Sequence, residues 1–306
     1  MKVVVTGASG LIGSALVSAL VSAGHEVITL VRRSPRKANE REWNPAGEPN
    51  PSLVEGADAV VHLAAETIKG WWTRSKKERI LESRVRGTEM IAKSIAAADQ
   101  KPRVFVSASG VGYYGHRKDE VLTEESANGF GFLATLAKQW EKATRPAEQA
   151  GVRTVLLRIS VVLSNRGGAL QAMLPSFRMG MGGKVANGKQ YWPWITLDDM
   201  VHTILFAIEN NSLSGPVNVC APQHTTNRVF TRALGKTLHR PTLFPLPSVV
   251  VTLVLGEMGQ EALLTSIRAE PQKLKAAGFS FRHPEIEEAL QFVLGQNSSN
   301  RQDSRK

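Results

Sequence analysis

The chain has 306 residues, of which 42% are hydrophobic and 21% charged. These are ordinary globular values, with ample apolar surface to bury, and they exclude a chain that stays unfolded along most of its length. A single cysteine, Cys220, excludes a disulfide framework and suggests a reducing compartment, and the net charge of +11 favours anionic ligands or partners.

Strand and helix patterns alternate along the first half of the chain. Residues 2–6 read as a strand. Residues 11–23 read as a helix, with Leu11, Ile12, Ala15, Leu16, Ala19 and Leu20 on one face and Gly24 as its stop. Strands are expected at 25–31, 59–63, 104–106 and 154–158, and helices at about 76–98 and 132–150. The run 59–63 is apolar throughout, which suits a strand buried on both faces. This alternation predicts an α/β fold, a doubly wound parallel sheet with ligands outside the carboxyl ends of its strands. Residues 166–193 carry six glycines and little strand signal, so they read as an excursion that covers a site. A short return strand is expected at 216–219. Helices follow at 226–238, 248–266 and 284–294, making a smaller, mostly helical C-terminal region in which Leu253, Leu263, Ile267, Phe279, Ile286 and Leu290 should be buried.

The apolar runs 3–5 and 249–255 are too short for a signal-peptide core or a membrane span, so the default expectation is a cytoplasmic protein with no membrane partner. Residues 296–306, QNSSNRQDSRK, read as a frayed basic tail. The segment KGWWTRSKKER, 69–79, interleaves Trp71 and Trp72 with cations. No nucleic-acid motif accompanies it, so it is read as a loop and helix start with both tryptophans packed inward, and no nucleic-acid partner is expected.

The strongest motif is TGASGLIG, residues 6–13, set between the first strand and the first helix. Gly7 allows the tight turn, Gly10 lets the backbone approach a pyrophosphate, and Gly13 lets the helix pack on the sheet. The N–H groups of Ser9, Leu11 and Ile12 then point at the anion. The second strand ends in Arg32 and Arg33, where a ribose-binding carboxylate would repel a 2′-phosphate. Two guanidiniums there favour NADP(H). The seven histidines are scattered and Cys220 is alone, so no metal site is expected.

The G-x-x-G-x-x-G spacing, with HLAAE at 62–66, SASGVGYYG at 107–115, LLRISVVLS at 156–164 and WPWITLDDMV at 192–201, resembles the extended and atypical short-chain dehydrogenase/reductases. The later segments 167–195, 215–241 and 247–294 are similar to one epimerase-like subgroup with a C-terminal domain of unknown function, some members of which are labelled cell-division inhibitors. The resemblance implies a Rossmann-type domain at 1–165, a covering excursion at 166–189, a return at 190–225, a helical C-terminal domain at 226–295 and a tail at 296–306. It implies bound NADP(H), extends the cofactor contacts to Leu63, Ala64 and Arg84, and puts Gln190, Trp192 and Trp194 at a small-molecule substrate. It leaves a homodimer as an open option.

One departure stands out. Short-chain dehydrogenases move a proton through Tyr-x-x-x-Lys, whose lysine lowers the tyrosine pKa. Here the corresponding helix reads GFLATLAKQWEKA. One register pairs Ala134 with Lys138; the other, aligned on Glu141, pairs Leu133 with Ala137. Neither contains a tyrosine. The remaining candidates are Ser107, Ser109, Tyr113 and Tyr114, with Tyr114 expected to face the cleft because Gly115 allows a sharp turn after it. Asp198 and Asp199 are read as helix caps and not as catalytic acids. Two functions follow: an NADP(H)-dependent, epimerase-like oxidoreductase acting on an unidentified small substrate, or a non-catalytic NADP(H)-binding redox sensor.

Overall fold

Residues 1–295 are described in the computed structural model. The order is β1 (Lys2–Thr6), α1 (Leu11–Ser22), β2 (Glu26–Val31), β3 (Glu40–Glu42), β4 (Ala59–His62), α2 (Arg74–Ala97) and β5 (Val104–Gly110). A short β6 (Val121–Leu122) precedes α3 (Phe132–Lys142), α4 (Arg145–Gln149) and β7 (Arg153–Ile159). Then come β8 (Val161–Leu163), α5 (Gly168–Arg178), β9 (Trp194–Thr196), α6 (Leu197–Glu209) and β10 (Gly215–Val219). The chain ends through α7 (Asn227–Leu238), α8 (Ser248–Gly259), β11 (Arg268–Ala269), α9 (Gln272–Ala276) and α10 (Ile286–Val293).

Seven of the strands form one parallel sheet in the order β10-β7-β5-β4-β1-β2-β3. Its inner strands β1, β2 and β4 are largely apolar because both faces are covered. The period of two sends Val3, Val5, Val61 and Val106 toward α1 and α6, where Leu16, Leu20, Met200 and Ile204 meet them. Val4, Val60 and Phe105 point the other way, onto Ile91 and Ile95 of α2 and Ala147 of α4. A third core, separate from the sheet, joins Leu170, Leu174, Trp194, Phe230, Leu234 and Leu290 under the glycine-rich excursion and the C-terminal helices.

Several expectations change. The helix expected over 132–150 is two helices, because Pro146 cannot continue a helix and instead opens α4. The excursion is not without regular structure. Leu170, Leu174 and Phe177 repeat at helical spacing and bury one face of α5. The edge strand β3 escaped notice because its sequence, Glu-Arg-Glu, has no apolar signal. Ile267, Phe279, Ile286 and Leu290 are buried and Leu263 is half-buried, but Leu253 points to solvent. Trp72 packs inward whereas Trp71 is exposed. The cap of α6 is the Thr196 hydroxyl, accepting from Asp199 N. The Asp199 carboxylate instead accepts from the backbone of Arg282 and His283, tying the C-terminal region to the sheet. The expected tail, 296–306, lies outside the described residues.

Candidate functional site

A cavity of about 500 Å³ opens at the carboxyl ends of β1, β4, β5 and β7. One end is the glycine loop. Gly7 adopts φ +70°, and a side chain on it would run into the backbone of Leu63 and Ala64 at 2.7–2.8 Å. A Cβ on Gly13 would lie 2.2 Å from Gly7 O, so only glycine lets α1 approach β1 this closely. Gly10 N–H donates to Gly7 O at 3.0 Å and closes the turn. α1 starts on Gly10 with no side-chain cap, which leaves its leading N–H groups for an anion. Gly7, Gly10, Leu11, Ile12, Gly13 and Leu63 line the cavity, and Ser9 is exposed on the loop.

The adjoining β4 turn is fixed by one hydroxyl. Thr6 Oγ1 accepts from the N–H groups of Leu63 and Ala64 at 3.1 and 3.2 Å. Its own proton is therefore left for His62 Nδ1, 2.8 Å away. Full burial lowers the His62 pKa to about 4, so the imidazole is neutral and serves as an acceptor.

At the end of β2 the two arginines differ. Arg33 forms a bidentate pair with Glu40 of β3, both bonds 2.9 Å. The Arg33 fork and the Arg36 N–H lower the Glu40 pKa to about 2. Arg32 is exposed and makes no hydrogen bond or ion pair among the described residues.

The charged side chains on the cavity lining are Arg84 and Glu261. Arg84 is buried, donates to Glu66 O at 2.8 Å and stacks on Trp140. Burial lowers its pKa to about 10, against the pull of Glu66. Glu261 comes from the turn after α8 and accepts from Phe132 N and Leu133 N, both at 2.7 Å. It caps α3, which has no cap of its own.

α3 presents Leu133, Leu136, Ala137 and Trp140 to the cavity, and Lys138 is exposed. Of the two registers, the pair that lines the cleft is thus Leu133 and Ala137. One turn further, Glu141 points at β5 and β7. It accepts from Ser109 Oγ at 2.8 Å and from Arg158 Nε and Nη2 at 2.8 and 3.0 Å. Arg158 also donates to the Tyr114 hydroxyl at 2.9 Å. Burial opposes the Arg158 charge, but the bonds and charge of Glu141 outweigh it and hold the pKa above its usual value.

The expectation that Tyr114 faces the cleft is overturned. Its ring has no exposed surface, and its hydroxyl donates to Asn218 Oδ1 at 2.6 Å. Burial pushes its pKa up to about 12, with Arg158 pulling the other way. Tyr113 lies under the Arg158 guanidinium, 3.6 Å from ring centroid to Cζ, and is not on the cavity lining. Ser107 is fully buried on β5. Ser109 does line the cavity, as does Trp192. Gln190 is buried behind it, donating to Val185 O and Leu263 O, and the Trp194 indole is buried against Thr225 Oγ1 at 2.9 Å.

The geometry also brings in residues that motif reading missed. Tyr191 lines the cavity beside Trp192, below the Arg268 guanidinium. It sat between two chosen residues with no signal of its own, because its direction is set by pairing with the distant segment around Ile267. Glu261 was equally silent in sequence. Glu141 was findable: Leu133, Ala137 and Glu141 recur every fourth residue, one stripe of a helix.

Residues 3–220 match the NAD dependent epimerase/dehydratase family, and residues 246–293 match a domain of unknown function, DUF1731. The chain is 46% identical over 293 residues to epimerase family protein Mb2239 of Mycobacterium bovis, covering 95% of this chain and 97% of that one. The chain belongs to the NAD dependent epimerase/dehydratase family. Among solved members, the human epimerase family protein SDR39U1, crystallised with NADPH, superposes with a TM-score of 0.89 at 34% identity, covering 96% of this chain and 99% of the human one. A nucleoside-diphosphate sugar epimerase from Corynebacterium glutamicum gives 0.82 at 37% identity, over 99% of this chain and 61% of its own length. The fold of this family member is thus the Rossmann-type one that its glycine loop implied.

Proposed function

We propose that the protein binds NADP(H) across this cleft and works as an epimerase-like oxidoreductase on a small substrate. The observation that carries the reading is the uncapped start of α1 behind three close-packed glycines, set beside an exposed Arg32 that makes no hydrogen bond or ion pair among the described residues. The first suits a pyrophosphate and the second a 2′-phosphate. The human relative, crystallised with NADPH, supports the same choice. Leu63 and Ala64 would flank the adenosine end, and Arg84 would offer its remaining N–H groups to an anionic or hydroxyl group deeper in the cavity. When bound, the cofactor supplies or accepts a hydride.

Hydrogen-bond accounting selects the proton donor. Ser109 spends its proton on Glu141, Ser160 on Val219 O and Thr265 on Gln260 O. Their oxygens face a ligand as acceptors. The Trp192 indole N–H is spent on Leu263 O. The Tyr191 hydroxyl alone among the lining hydroxyls makes no hydrogen bond to the described residues. Tyr191 therefore takes the role that Tyr113 and Tyr114 cannot reach, with Ser109 Oγ left to accept from a hydroxyl of the substrate.

The apolar α3 wall, Leu133 and Ala137, favours the second reading, a non-catalytic NADP(H)-binding redox sensor. One experiment separates the two. Protein loaded with NADPH is mixed in stopped flow with a panel of quinones, aldehydes and keto-sugars. An enzyme should oxidise NADPH with at least one acceptor, and Tyr191→Phe should slow that oxidation by about 100-fold. Tight NADPH binding with no acceptor consumed would establish the sensor. Full turnover by Tyr191→Phe would remove the proton-donor assignment.

A further inference from the structure

The lobe over the cleft has a surface unlike the rest of the molecule. Residues 165–197 and 221–256 contain no aspartate or glutamate but carry eight lysines and arginines. Of these, Lys236 meets a carboxylate, Glu287 at 2.6 Å; the other seven have no acidic partner among the described residues. The same segments expose large apolar side chains. Leu243 is 76% exposed, Val249 65% and Leu253 70%, with Met179, Phe244 and Val254 beside them.

The exposed apolar groups lie on neighbouring segments. Leu246 N–H donates to Lys184 O and Ala186 N–H to Leu246 O, both at 2.8 Å, which seats the 240–250 segment against 178–186. Arg240 Nε donates to Arg178 O at 2.8 Å, which brings these two exposed arginines together. At the far end of α8, the exposed Trp71 packs its ring against Gly256. Up to Leu255, α8 is apolar on nearly all sides. Val251 faces the core while Val249, Leu253 and Val254 face out. A helix apolar all round belongs in an apolar surrounding, and here one side has none.

We propose that this lobe docks the protein on the surface of an anionic phospholipid bilayer. Exposed apolar side chains, an exposed tryptophan and arginines without an acidic partner among the described residues match an acyl boundary beneath negative headgroups, and the carboxylate of Glu257 at the end of α8 is neutralised by Lys77. A second copy fits worse, because its own Arg178 and Arg240 would oppose these. Residues 296–306 fit worse too, since they include no apolar side chain. No helix among the described residues is long and apolar enough to cross a membrane, so the contact is with the surface.

The test is co-sedimentation of the full chain with phosphatidylcholine vesicles, with and without phosphatidylglycerol. Binding is expected to the anionic vesicles and to weaken as salt rises. Leu253→Glu with Val249→Glu should lower it on the order of tenfold or more, and Arg178→Gln or Arg240→Gln by roughly fivefold each. All four positions are exposed, and an unchanged thermal melt shows that the fold is intact. Protein that stays in the supernatant with anionic vesicles at low salt overturns the proposal. So does a dimer in sedimentation velocity that Leu253→Glu dissolves, which would assign the face to a second copy.

Discussion

At the β1–α1 end of the cleft, backbone forms the binding surface. Gly7, Gly10 and Gly13 keep side chains out of the way, and the leading N–H groups of α1 do the recognising. At the opposite wall, side chains from five separate segments meet: Ser109, Glu141, Arg158, Tyr191 and Glu261. They are held by bonds such as Glu261 to α3 and Glu141 to Arg158. The first end follows from local spacing, since a strand, a glycine turn and a helix are neighbours in sequence. The second depends on tertiary partners that lie far apart in sequence.

Substitutions at the two ends should therefore fail differently. The largest effect is expected at the side-chain wall, on stability. Arg158→Met leaves the Glu141 carboxylate, 11% exposed, without its cation. Breaking a buried pair from one side costs about 3–5 kcal/mol, measurable by urea denaturation. A loss below about 1 kcal/mol would show that the pair is solvated and not buried.

Next comes the backbone end. Gly13→Ala puts a methyl 2.2 Å from Gly7 O. Overpacking of this kind costs about 2–3 kcal/mol, and the shift of α1 should lower NADPH affinity by ~100-fold in calorimetry. An unchanged affinity would mean that α1 does not contact the ligand.

Tyr114→Phe sharpens the contrast. It removes a buried hydroxyl bonded to Asn218 and Arg158 and should cost about 1–3 kcal/mol of stability. NADPH affinity and any turnover per folded molecule should be unchanged. A turnover loss without a stability loss would return Tyr114 to the site.

The same contrast explains what the sequence disclosed. The sheet, α1, α2 and the glycine loop were legible because periodicity and turn glycines are local signals. β3 was hidden by its polar edge sequence, and α5 by the glycines around it. In the site, the ends of β1 and β2 were readable from TGASGLIG and Arg32-Arg33. Tyr114 was misplaced because Gly115 shows that the chain turns, not which way the preceding ring points; Asn218 and Arg158 decide that from more than 40 residues away. Tyr191 reaches the cleft by pairing with the segment around Ile267, and Glu261 by its bonds to the start of α3, contacts that no short window contains.

The smallest expected effect tests the central claim most directly. Arg32 makes no hydrogen bond or ion pair among the described residues and Arg33 is tied to Glu40, so discrimination between the two dinucleotides should rest on Arg32. A charge-assisted hydrogen bond contributes about 1.5–3 kcal/mol. Calorimetric titration should show NADPH binding at least ~10-fold more tightly than NADH, with Arg32→Ala removing most of that difference and Arg33→Ala less. Equal affinities of the unmodified protein for NADPH and NADH would contradict it.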